Sequence, residues 1–465
     1  MNTLALAWRN LLRNRRRSLT TLTAMVLGVV AVLLFGGYVR DLNYGLQTDF
    51  VQLTGHLQIQ RKDYYRLGTG NPAAYGIVHY EQVLDVVRND PVLAPMLAVA
   101  TPMLEFGGIA GNFASGVSRT VLVSGFVVED QNRMREWNAY GFPVLTRRLS
   151  LTGTPADSVV IGTGVARVLQ LCGALKVPDC PVEPTREEPS GRALPDDIAG
   201  LAQGAAAPAA RPAESGQPRI EVLATNTRGA PNVAAVRVLN AEYQGVKELD
   251  DVYVGMHLAQ AQRLIFGASP PQATAIALQL HHTAMLPAAK ARLDELLETQ
   301  LSSEPLEVLD YETLNPYYGQ ALAMFGVMFG FFAILIGSIV LFTVSNTMSM
   351  AVVERTVEIG TLRAIGLRQG GIRSLFLAEG LVLGCIGAAL GVAVASGLAA
   401  LINRVGFTWL PPGRVEPIPL AVRVAGEYWM LGASAAGLIV VAAVSALLPA
   451  ARAARMNIVE ALRHA

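Results

Sequence analysis

The sequence predicts a membrane α-helical protein: four transmembrane helices with a large inserted α+β extracytoplasmic domain of two lobes. Three observations carry that prediction. Hydrophobic residues make up 52% of the 465 and charged residues only 16%, which is apolar for a soluble protein. The charge is unevenly spread, and four stretches nearly free of it each reach the ~20 residues that a helix needs to cross a hydrocarbon core. Between the first and second of these lies a segment of mixed composition, residues 41–318, long enough to fold by itself.

Residues 1–17 carry Leu4, Trp8, Leu11 and Leu12 on one helical face and arginines on the other. That pattern predicts a cytoplasmic interfacial helix, with a simple extension of the first span as the alternative. The first span is 18–40. Its basic front, with Arg15-Arg16, resembles a signal sequence, but the apolar run is long and no A-x-A-like site follows, so it reads as an uncleaved anchor. The other spans are 319–351, 376–403 and 428–451. A coupling segment (352–375), a short loop (404–427) and a tail (452–465) connect and end them.

Positive charge near span ends sets orientation. Arg9, Arg13, Arg15, Arg16, Arg17, Arg355, Arg363, Arg368, Arg373, Arg452, Arg455 and Arg463 fall on one side. Segment 404–427 has only Arg404, Arg414 and Arg423, partly offset by Glu416 and Glu427. Both termini and 352–375 are therefore expected in the cytoplasm, with 41–318 outside.

Within 41–318, "HLQIQ" (56–60), "AVATPML" (98–104) and "RTVLVSGFVVED" (119–130) alternate like strands, while "YEQVLDVVRND" (80–90) has helical spacing. "SVVIGTGVARVLQLC" (158–172) reads as strand, glycine turn and helix. Residues 178–218 hold eight prolines and read as a flexible insertion. Strand patterns resume at "RIEVLAT" and "AAVRVLNAEYQGV". "DDVYVGMHLAQAQRLIFG" is a strand and a helix ended by Gly267, and a β-α-β unit runs from "ATAIALQL" to "LEVLDYETL".

Motifs for catalysis are missing. No Gly-Lys pair occurs, so there is no P-loop, and no H-E-x-x-H, C-x-x-C or G-x-S-x-G appears. His281-His282 is a poor chelate, since strand neighbours point to opposite faces. No metal, cofactor-binding or catalytic residue is assigned. "IGTGVAR" (161–167) lacks the third glycine of a dinucleotide turn and reads as structural. Cys172 and Cys180 are either a short disulfide or two buried thiols; Cys385, in the third span, reads as a packing residue. A net charge of +1 gives no reason to expect nucleic acid.

The spans carry no mid-membrane ionisable residue, which argues against an ion-coupled carrier. They carry small residues at four-residue spacing instead: Gly326/Gly330, Gly380/Gly384 and Gly387/Gly391. Such rows allow close helix packing, within one chain or between two. In 352–380, Val353, Val357 and Ala364, with Ile359, Leu362 and Ile365 beside them, support a short amphipathic helix. It stops at Gly366, with Leu367 folding back, and Gly370-Gly371 loosen the chain beyond. Either this is a solvated loop with a helical turn, or it is a lever presenting Glu358, Arg363 and an apolar edge to a partner.

"ERTVEIGTLRAIGLRQGGIRSLFLAEGLVLGCIGAALG" resembles the loop and third span of the FtsX/MacB-type (type VII) ABC transporter permeases. The basic tail ending "EALRH" is similar to theirs, and "LAWRNLLRNRRRSLTTLTAMVLGVV" with "TGHLQIQ" looks most like the LolC/LolE branch. The resemblance covers roughly 1–60 and 320–465. It implies a non-catalytic permease subunit in the bacterial inner membrane, with a MacB-like periplasmic domain. Its partners would be two copies of a cytoplasmic ABC ATPase that bind ATP and magnesium, a second permease subunit, lipids, and a periplasmic chaperone or adaptor. Glu354, Glu358, Arg363, Ile365 and Gly366 would couple the ATPase. The implied work is mechanotransmission in lipoprotein release. A MacB-like exporter of drugs or peptides, and an FtsX-like transmitter that moves no substrate, are the alternatives.

Overall fold

The computed structural model describes residues 7, 9–10, 13, 15–142, 148–178, 180, 217–410 and 417–457. The expected insertion at 178–218 lies almost wholly outside the described residues, as do most of the N-terminal segment and the "EALRH" ending. The chain divides into two compact units. One contains Tyr317–Trp409, the chain up to Gly45 and the chain from Ile418; the other contains Leu46–Pro316.

In chain order the principal elements are α1 (Arg15–Thr54), β1 (Leu57–Arg61), α2 (Tyr80–Asn89), β2 (Leu97–Asn112), β3 (Val117–Phe126) and α3 (Val128–Arg135). Then come β4 (Ser158–Gly162), α4 (Thr163–Val168), β5 (Arg219–Thr225), β6 (Pro231–Glu242), β7 (Tyr253–His257) and α5 (Leu258–Phe266). The chain continues with β8 (Ala275–Leu280), α6 (Leu286–Thr299), β9 (Leu306–Asp310), α7 (Pro316–Glu354), α8 (Thr356–Ala364), α9 (Gln369–Val405) and α10 (Tyr428–Arg455).

Four of these, α1, α7, α9 and α10, are long and apolar enough to cross a membrane. All extend past the expected spans. Hydropathy marks where a span leaves hydrocarbon, whereas a helix continues until its backbone is stopped. For α1 that stop is Gly55, at φ +80°. The helices pack through Met25, Val29 and Leu33 of α1, Val340 and Val344 of α7, Leu383 and Ala388 of α9, and Leu438 and Ala442 of α10. At the end opposite α8, Asp41 accepts from Arg423 Nε (2.9 Å), Glu427 accepts from Arg40 and Tyr44, and Tyr318 donates to Asn43 (2.6 Å).

The second unit is one nine-stranded sheet, in the order β3-β7-β4-β6-β5-β2-β8-β1-β9, with β3 also paired to β2. The strands β9-β1-β8-β2 are mutually antiparallel. With α2 and α6 they form a split β-α-β layer. In α2, Tyr80, Val83, Leu84 and Val87 face inward at helical spacing; in α6, Ala289, Leu293 and Leu296 do so. These bury against Leu57, Ile59, Ile276 and Leu278. Because β3 returns to β2, the other five strands close with β2 into a six-stranded ring. Inside it Phe106, Val123, Ile161, Val222, Val238 and Val254 meet Val165 of α4 and Leu264 of α5. The two cores share β2.

The turn at 161–167 is structural, and the residues show why. Thr163 and Gly164 donate their backbone N–H groups to the Asp250 carboxylate, both at 2.9 Å. A helix start that could receive an anionic ligand is thus filled by the protein's own anion. Cys172 and Cys180 are joined by a disulfide, Cα–Cα 6.2 Å. Cys385 is exposed on α9 rather than packed. Among the described residues no group of His, Cys, Asp or Glu could hold a metal.

Candidate functional site

The polar block 352–380 becomes a helical elbow. Helix α7 runs to Glu354, a single residue, Arg355, leaves helical geometry (φ −104°, ψ 19°), and α8 begins at Thr356. Its far end is closed by Gly366, at φ +105°, with Gly366 N–H donating to Arg363 O (3.1 Å) and Leu367 N–H to Leu362 O (3.0 Å). A left-handed residue is needed there, and glycine takes it without strain. Leu367 then packs with Leu362 against the cluster of Val352, Ile359, Ile372, Phe376 and Ala450.

The expectation that Gly370-Gly371 loosen the chain is corrected. Helix α9 begins at Gln369, and Gly371 N–H donates to Arg368 O at 2.9 Å, so both glycines lie in its first turn. The apolar edge is also divided differently from the simple pattern. Ile359 is buried, whereas Val357 and Ile365 are 38% and 80% exposed. Exposed Glu354, Val357, Glu358, Thr361, Ala364, Ile365 and Arg368 recur every three or four residues. Within α8 and its cap, Val357, Glu358, Thr361, Ala364 and Ile365 lie on one outward face, mostly apolar with one carboxylate.

Each expected coupling residue has a definite place. Glu358 accepts from Arg13 (2.6 Å), with both side chains about half exposed, and Glu354 accepts from Arg17. Arg363 does not face outward with the glutamates. It donates to the carbonyl of Met456, just past the last turn of α10, where a cation also meets the negative end of that helix.

Two residues at the centre of the elbow were not singled out from the sequence as site residues. Arg355 Nη1 donates to Glu379 Oε1 of α9 at 2.7 Å, and the two side chains are 8% and 3% exposed. Asn10 joins them, its side-chain amide donating to the same carboxylate oxygen and its carbonyl accepting from Arg355 Nη2 (3.3 Å). The available signal was Glu379 itself, a carboxylate inside an otherwise apolar helix, which demands a partner.

The glycine rows separate into two kinds. A Cβ on Gly380 or Gly384 would lie 2.9–3.0 Å from Ala446 or Ala442 of α10, and one on Gly387 or Gly391 would lie 3.1 or 2.7 Å from Met25 or Val29 of α1. These four are packing surfaces within the chain. Gly326 and Gly330 meet nothing within 4 Å.

Residues 327–458 match the family described as FtsX-like permease C-terminal. This region contains the elbow, α9 and α10. Over 151 residues the chain is 33% identical to the ABC transporter permease YtrF of Bacillus subtilis, covering 30% of this chain and 32% of the relative. It is 31% identical over 209 residues to the uncharacterized ABC transporter permease YvrN of the same organism, covering 43% and 46%. It is 27% identical over 238 residues to the macrolide export ATP-binding/permease protein MacB of Hyphomonas neptunium, covering 50% and 34%. The chain thus spans less than half the length of each of these relatives.

Proposed function

We infer that this chain is the non-catalytic permease subunit of an ATP-driven ABC transporter of the FtsX/MacB type. The observation that carries the reading is α8: a short helix braced on three sides, yet with an outward stripe of Val357, Glu358, Thr361 and Ile365. A protein with no P-loop in its sequence has to receive work through contact, and a rigid helix between two membrane-crossing helices is suited to it. On this reading α8 faces the cytoplasm of a bacterial inner membrane and docks an ABC ATPase. Two ATPase copies and a second permease complete the machine. The sheet unit, its two cores acting as two lobes, lies in the periplasm and is displaced by ATP-driven closure.

The substrate has two readings. The likeness of the chain's ends to the LolC/LolE branch supports lipoproteins or other lipidated molecules taken from the outer leaflet. The MacB relatives support export of drugs or peptides with a periplasmic adaptor. Reconstitution with the cognate ATPase separates them: either a lipidated protein is released to an acceptor, or a soluble drug or peptide stimulates hydrolysis.

The topological half of the proposal is tested by thiol labelling in intact cells. In a chain with Cys385 replaced, an impermeant reagent should modify Ser118→Cys but not Thr361→Cys. Labelling of position 361 from outside would overturn the assignment.

A further inference from the structure

Helix α1 enters the sheet unit through its last turns, and its end is held in an unusual way. The last carbonyls of a helix lack intrahelical partners. Here they receive side-chain amides from three separate elements. Gln279 of β8 donates to Val51 O (3.2 Å), Gln131 of α3 to Gln52 O (3.0 Å) and Gln58 of β1 to Thr54 O (3.1 Å). Gln279 also donates to Met134 O (2.9 Å), and Gln52 to Trp137 O (2.8 Å).

Beside this plug lies a polar relay, buried at His56, Gln47 and Tyr311, half-buried at Thr283 and Tyr140 and exposed at Glu312, whose direction follows from hydrogen counting. His56, fully buried, accepts from Leu280 N–H at Nδ1 (3.0 Å). Its Nε2 must then carry the ring proton, and it donates to Thr283 Oγ1 (3.2 Å). Tyr140 Oη lies 2.7 Å from Gln47 Oε1 and 3.2 Å from Thr283 Oγ1. Its single proton goes to Gln47, so its oxygen accepts from Thr283. Gln47 Nε2 donates to Tyr311 Oη (2.7 Å), and Tyr311 donates to Glu312 (3.2 Å). Every group gives one proton onward, and the chain ends on a carboxylate. At its buried members, His56, Gln47 and Tyr311, rearrangement would strand a polar group away from water, which favours one geometry.

We propose that this relay is a positioning element: it fixes Gln47–Thr54, where the chain enters the sheet unit, to Tyr311–Leu314, where the chain leaves it, so that the two move as one body. Tyr311 N–H donating to His56 O (3.1 Å) adds a backbone tie to the turn just past Thr54. In its consequence for transport the inference rests on the ATP-driven reading, in which this is where displacement enters the sheet unit.

The test is amide hydrogen exchange on the full chain in detergent or nanodiscs, followed by turnover with its ATPase. Gln47→Leu and Tyr140→Phe should each speed exchange about tenfold in both 47–54 and 311–314. The double variant should exchange no faster than either single, since one relay is cut once. Thr283→Val should behave like them, and Thr283→Ser should restore protection. In the complex, these variants should retain ATP hydrolysis and lose substrate release. Unchanged exchange, loosening only beside the substituted residue, or looser segments with release at the wild-type level would each overturn the proposal. If no ATPase associates with the chain at all, the functional reading fails, while the exchange measurements still decide the relay.

Discussion

Arg355, the single residue between α7 and α8, donates to the Glu379 carboxylate of α9 at 2.7 Å, and both side chains are almost entirely buried. The pair therefore differs in kind from Arg13–Glu358, whose side chains are 54% and 50% exposed. An exposed pair contributes roughly 0–1 kcal/mol, whereas removing one member of a buried pair costs roughly 3–5 kcal/mol. Arg355→Ala and Glu379→Ala should each lower stability by that larger amount, the double variant by less than their sum, and Glu358→Gln by under about 1 kcal/mol. Thermal unfolding of the purified chain in detergent measures all four. Wild-type stability in both alanine variants would show that the buried pair does not hold the elbow.

Ile365 and Val357 offer a test of docking free of folding effects, because both are exposed. Aspartate at either position should change stability by no more than about 0.5 kcal/mol and reduce affinity for the ATPase at least about tenfold, or 1.4 kcal/mol. Arg363→Glu should act differently, destabilising the chain because it removes the brace on Met456. Co-purification with the ATPase at wild-type yield by both aspartate variants would exclude this face as the docking surface.

Burial lowers the pKa of His56 to about 3, against about 6.5 when exposed. Between these values the unfolded chain binds the proton and the folded chain does not. Stability is therefore unaffected by this group above pH 6.5 and falls as pH drops below it. From pH 7 to 5 the loss is about 2 kcal/mol. His56→Gln should flatten that part of the pH–stability curve, whatever its effect at pH 7. Curves of equal slope for the two proteins would count against a neutral, buried imidazole.

The glycines predict opposite outcomes for one substitution. Gly391→Ala puts a methyl carbon 2.7 Å from Val29 Cβ, an overpacking worth roughly 1–3 kcal/mol of destabilisation. Gly326→Ala meets nothing within 4 Å and should gain up to roughly 1 kcal/mol of helix propensity. Thermal unfolding of the two variants, compared with wild type, checks the sign of each.

The Cys172–Cys180 bond closes a loop of sequence separation 8, worth about 2.5 kcal/mol in the chain-entropy description. Non-reduced peptide mass spectrometry should find the link, and Cys172→Ser should lose about that much stability. Two free thiols in unreduced protein would remove the idea.

Much of this architecture was legible because its signals are local. Alternation in "SVVIG" and "RIEVLAT", helical spacing in "YEQVLDVVRND", and a glycine followed by a leucine at Gly366-Leu367 each depend on a few neighbouring residues. What could not be read depends on partners distant in sequence. Nothing near Glu379 identifies Arg355 and Asn10 as its neighbours, and nothing near Gln47 points to Tyr140 or Tyr311. The direction of Arg363 was misjudged for the same reason, since Met456 is 93 residues away. The double glycine at 370–371 was misread because glycine weakens a helix without forbidding one, and the first turn of α9 is anchored through Arg368.

The return of β3 to β2 has a consequence for how the protein keeps to itself. An open sheet presents two bare margins, each able to template pairing with a foreign strand. Here one margin is used up in closing the ring, so among the described strands of the large sheet only β9 pairs with a single neighbour. That strand is five residues long and includes Glu307 and Asp310, which are committed to Asp63 N–H and Lys290. A short, acidic and already engaged border is a poor seed for aggregation. The same strand leads directly toward α7, so any peptide that did add itself there would sit beside the route by which the chain leaves the sheet.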